Sequence, residues 1–99
     1  MHALPEEISR ELERVVRRWR ELPADHALAA SRGVRELVRD LASQTAPEVA
    51  GVAGRQPHEV PDLGPAVLID QLRVLVWDAA SAGVPDLADR LADLRRSLP

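Results

Sequence analysis

The stretch from Gly64 to Ala82, GPAVLIDQLRVLVWDAASA, carries more apolar surface than a helix with one buried stripe can hide. At helical spacing Leu68, Leu72, Leu75, Val76 and Ala79 form one broad face. Val67, Val74 and Trp77 fall on a second sector, with Asp70 and Ser81 among them. Such a helix needs cover on more than one side, and the cover comes from its own chain, from a second copy or from another protein.

The other helices must supply much of it. A chain of 99 residues makes one small domain, and 45% hydrophobic and 29% charged residues with a net charge of -3 place it outside the disordered class. Phe and Tyr are absent and Trp19 and Trp77 are the only aromatics, so Leu, Val, Ile and Ala must fill the interior at close helix spacing. Nothing in the chain alternates as a strand does.

Pro5, Pro23, Pro65 and Pro85 mark helix openings, because proline at a first turn lacks only an amide that would have no partner there. Acidic residues follow three of them, at Glu6 and Glu7, Asp25 and Asp86, where the helix dipole is positive. The first helix is predicted over about 5–21, with Leu4, Ile8, Leu12, Val15, Val16, Trp19 and Leu22 on one face and Trp19 as a core anchor. The second, over about 23–44, turns Ala27, Ala30, Val34, Leu37, Val38 and Leu41 inward, while Gly33, Ala29 and Ala30 leave room for close approach of a neighbour. With only Leu22-Pro23 between them, these two helices are expected to form an antiparallel hairpin.

Segment 45–63 carries Pro47, Pro57, Pro61, Gly51 and Gly54 and reads as an irregular crossover, strapped down by Val49, Val52, Val60 and Leu63. Thr45 and Glu48 fit a capping box, which allows one or two helical turns ending near Gly54. The third helix spans about 65–82 with Gly83 as its left-handed cap. A fourth, over about 85–98, repeats Leu87, Leu91, Leu94 and Leu98 as a narrow seam suited to packing on the third. The expected fold is all-α: a four-helix bundle-like single domain with a long crossover between helices 2 and 3.

Chemical motifs are scarce. With no cysteine there is neither a disulfide nor a thiolate nucleophile, and His2, His26 and His58 do not pair at metal-ligand spacing. Ser9, Ser31, Ser43, Ser81 and Ser97 lack the turn and the histidine that would activate them. No catalytic residue, metal site or cofactor is expected. Ala79, Gly83 and Val84 meet the corner spacing of a helix-turn-helix, but Asp89 then stands at an apolar packing position. Asp86, Asp89 and Asp93 would also face phosphates.

Every one of the 13 basic residues is arginine, and Arg10, Arg14, Arg17 and Arg18 share one face of the first helix. Glu6, Glu13 and Glu21 share it too, at spacings that pair Glu6 with Arg10 and Glu13 with Arg17. A solvated face is therefore preferred to a nucleic-acid face. Asp70 is expected to be partly buried and ion-paired with Arg73 or another arginine.

The leading functional expectation is a small helical protein-interaction module, self-associating as a homodimer or binding another protein through Val67, Asp70, Val74 and Trp77. The alternative is a nucleic-acid-binding regulator that uses Arg10, Arg14, Arg17 and Arg18. An enzyme ranks last. The first residues, MHALPEEISRELERVV, have no signal-peptide pattern and no apolar run approaches the roughly 20 residues that span a bilayer, so a soluble, cytoplasmic protein is expected.

Overall fold

The computed structural model describes residues 4–53 and 64–99, the side chains of 46–53 excepted. Four helices follow in order, α1 (Glu6–Glu21), α2 (Ala24–Ala53), α3 (Pro65–Ser81) and α4 (Leu87–Ser97), with no strand among the described residues. The all-α, four-helix expectation holds. Pro5 caps α1 with its carbonyl accepting from the Ser9 amide at 2.9 Å, Pro23 does the same for Ala27 at 2.9 Å, and Pro65 is the first residue of α3. Glu6 and Glu7 occupy the first turn of α1 and Arg18 and Arg20 its last, each with the sign that the dipole favours.

α2 runs on where the sequence predicts a break. The helix continues to Ala53 through Pro47, although proline has no amide to give the carbonyl four residues earlier. Thr45 is therefore an interior residue and not an N-cap: its hydroxyl donates back to the Leu41 and Ala42 carbonyls, at 3.0 and 3.1 Å. Val60 and Leu63, expected to strap the crossover, lie outside the described residues, as do the side chains of Val49 and Val52.

α3 ends in a Schellman motif. Gly83, at φ 76°, donates to the Ala80 carbonyl at 3.2 Å while Val84 reaches the Ala79 carbonyl at 2.9 Å. The predicted cap is thus present, and Val84 packs against the core beside it. α4 starts two residues later than expected, after Asp86 in the left-handed region at φ 63°.

Helix pairing departs from expectation. α1 lies chiefly along α4, and α2 along α3. α1 and α2 do not form the expected hairpin, because Leu22 is forced into extended backbone (φ -71°, ψ 136°) before Pro23 and the chain leaves α1 at a corner. α4 correspondingly presses its leucines mainly towards α1 and only lightly on α3. Arg95 of α4 clasps Glu11 of α1 at 3.0 Å, and Arg18 of α1 donates through Nε to the Pro99 main-chain oxygen at 2.7 Å. Arg90 joins α4 to α2 through Gln44 at 2.9 Å and Asp40 at 3.1 Å.

One apolar cluster joins all four helices, with Val15, Val34, Val38, Leu41, Leu72 and Val76 fully enclosed. Trp19 is buried as expected, and its indole nitrogen donates to the Pro65 carbonyl at 3.3 Å, tying α1 to the start of α3. Ser31 is the one buried polar residue among those described, and its hydroxyl is satisfied by the Ala27 carbonyl at 2.8 Å. No buried side-chain polar atom among the described residues is left without a partner.

Candidate functional site

The pairing of helices decides which part of α3 is uncovered. α3 turns Leu68, Ile69, Leu72, Val76 and Ala79 inward, and its contact with α1 is slight because each of the two is held by another helix. The opposite sector is covered only in part by the described residues. Val74 is 61% exposed and Trp77 42%, Val67 is half-buried, and Asp70 and Ser81 are exposed. Asp70 differs from expectation: it stands in solvent, and no ion pair with Arg73 forms among the described residues. A carboxylate on this side of the helix keeps its hydration because no described residue packs over it.

A groove of about 420 Å³ opens where α1 and α3 diverge. Leu4, Ser9, Leu12 and Glu13 line it from α1 and its approach, and Arg73, Val74, Trp77 and Asp78 from α3. A second depression of about 450 Å³ continues past Glu13 and Arg73 to Val16, Arg17, Arg20 and Glu21. The site is thus mixed at the Trp77 end, where Leu4, Leu12, Val74 and Trp77 alternate with Ser9, Glu13, Arg73 and Asp78, and mostly charged at the Arg20 end. Leu4 and the α1 wall are not legible in the sequence as part of it, since only the tertiary arrangement brings the start of α1 beside the end of α3.

The arginines divide into two groups. Arg10 pairs with Glu6 at 3.0 Å, Arg14 with Glu11 at 3.2 Å and Arg18 with Glu21 at 3.6 Å, as well as binding Pro99. Arg17 forms no ion pair among the described residues, so the expected Glu13–Arg17 pair is not made. Arg17 instead borders the second depression with Arg20 and Arg73. The four residues named as a nucleic-acid face are therefore mostly engaged in local pairs.

Glu11 is a titrating group on which its surroundings clearly act. The Arg95 hydrogen bond, and then the positive charges of Arg95, Arg14 and Arg96, hold its carboxyl below the usual carboxylate range, against an opposing effect of burial. This is a fastening between α1 and α4. It lies away from the groove.

His26 is exposed on α2, and His2 and His58 lie outside the described residues. No three His, Cys, Asp or Glu side chains gather as metal ligands among the described residues, and no helix there is long and apolar enough to cross a membrane. No family model, curated protein or solved structure matches this chain. What fold and surface define is an all-α protein, with four helices among the described residues and with Val74 and Trp77 exposed on α3.

Proposed function

We propose that this protein is a small helical interaction module of the cytoplasm that self-associates as a homodimer through Val67, Asp70, Val74 and Trp77, with no catalytic chemistry of its own. The observation that carries this reading is the joint exposure of Trp77 and Val74, one turn apart on α3 and beside a groove to which Leu4 and Leu12 contribute. Single exposed apolar side chains are ordinary on a soluble surface. A tryptophan and a valine that adjoin each other and a leucine-lined groove form a patch, and tryptophan is enriched where interfaces carry their binding energy.

Measuring solution mass at micromolar concentration tests the proposal. The wild type should sediment at twice its 10.9 kDa, and Trp77→Asp should sediment at the single mass with its helical content retained. A monomeric wild type removes the reading, and so does a folded Trp77→Asp that keeps the larger mass. The nucleic-acid alternative draws less support, since Arg10, Arg14 and Arg18 already have carboxylate partners. Retention on heparin that falls steeply with salt would restore it.

A further inference from the structure

We propose that the depression bounded by Arg17, Arg20 and Arg73, where α1 and α3 diverge, is a binding site for a small multivalent oxyanion. The site goes beyond the homodimer reading and does not depend on it, since Val67, Asp70, Val74 and Trp77 take no part in its lining. Most of the described arginines hold a carboxylate, whether along one helix, as Arg10 holds Glu6, or between helices, as Arg95 holds Glu11 and Arg90 holds Asp40. Arg17, Arg20 and Arg73 form no ion pair among the described residues. All three line the same depression of about 450 Å³, two from the C-terminal part of α1 and one from α3.

The carboxylates in the lining do not cancel these charges. Glu21 is already opposed by Arg18 at 3.6 Å, which leaves Glu13 against three guanidinium groups, in a chain whose net charge is -3. The negative end of the helix dipole accounts for Arg20 in the last turn of α1. It does not account for Arg73, which stands in the middle of α3 and gains nothing from a helix end. Like charges gathered about one concavity repel one another and focus a positive field into it, and an anion placed between them relieves the repulsion. The paired N–H groups of a guanidinium match the spacing of phosphate and carboxylate oxygens, so the donors and the charge call for the same kind of ligand.

Inorganic phosphate and succinate, each titrated at constant ionic strength into isotope-labelled protein and followed by backbone amide NMR, supply the test. At least one of them should shift the amides around Arg17, Arg20 and Arg73 saturably, with a dissociation constant of about 1 mM or below. The tighter of the two names the acid group of the ligand. All three side chains are exposed, so substituting them leaves the core untouched. Arg73→Gln and Arg20→Gln should each weaken binding by roughly tenfold or more, through loss of a charge-assisted hydrogen bond. Arg39→Gln removes the same charge from an exposed position on α2 and should change the constant by less than about twofold. Failure of both anions to saturate at about ten times that concentration overturns the site, as does an unchanged constant in Arg73→Gln. An Arg39→Gln loss equal to that of Arg73→Gln would show a diffuse attraction of the whole surface and overturn it too. A wild type of single mass removes the homodimer and leaves this site standing.

Discussion

Two carboxylates at similar helical positions behave differently because of what stands across from them. Glu11 retains only 16% of its side-chain exposure and is held by Arg95, whereas Asp70 is open to water. A carboxyl whose folded pKa is depressed contributes stability that is present above its unfolded pKa and lost as pH falls through the folded one. Glu11→Gln should therefore cost about 1 kcal/mol at pH 7, and the gap between mutant and wild type should close below about pH 4. Urea unfolding of the two proteins at pH 7 and pH 3 measures this. A gap that persisted at pH 3 would place the loss in packing and not in the charge.

Gly33 shows the same dependence on surroundings. Its place among Ala29 and Ala30 suggests a close helix approach, yet a Cβ built there would meet only Leu94 Cδ1, at 3.8 Å, which is ordinary contact. The position tolerates a side chain. Gly33→Ala should accordingly raise stability by about 0.5–1 kcal/mol through the lower entropy of the unfolded chain, visible as a higher Tm. A fall would mean that α2 and α4 sit closer than this spacing.

At the scale of elements, the two ends of α3 were readable from the chain alone. Pro65 and Gly83 bound α3 for stereochemical reasons that need no tertiary context, and both are found where expected. Gly83→Ala meets no atom within 4 Å, so its cost is purely conformational. It should amount to about 1–2 kcal/mol from the left-handed backbone. Thermal unfolding of that variant tests whether the Schellman cap matters to the fold, and a Tm equal to wild type would deny it. Reading α2 was harder. Proline and glycine after residue 45 are local signals against a helix, but the helix continues through Pro47 to Ala53. The bonds of Thr45 to Leu41 and Ala42 show that a residue suited to begin a helix can equally sit inside one.

For the whole molecule, the arrangement of helices decides the available surface. With α1 on α4 and α2 on α3, the two strongest pairs meet through a common core and leave a cleft between α1 and α3. If that cleft and the outer side of α3 meet a second copy, unfolding is linked to association. Tm should then rise with protein concentration in the wild type and stay constant in Trp77→Asp. Equal concentration dependence in both would speak against the α3 surface.

Periodicity was enough to establish that the chain is helical, most of the apolar residues that each helix turns inward (Ile69 of α3 and Ala92 of α4 were missed), and that α3 has a second apolar sector, because these follow from the geometry of one helix taken alone. Leu12, Val15, Val16 and Trp19 in α1 and Leu68, Leu72, Val76 and Ala79 in α3 are all buried accordingly. Which helix covers which is a different matter, since several amphipathic faces of similar width can pair in more than one way and local spacing does not rank the choices. Packing put α1 against α4, joined Glu11 to Arg95, opened Asp70 to water and brought Leu4 beside Trp77. Those relations depend on side chains far apart in the chain, and so they exist only once the whole core has closed.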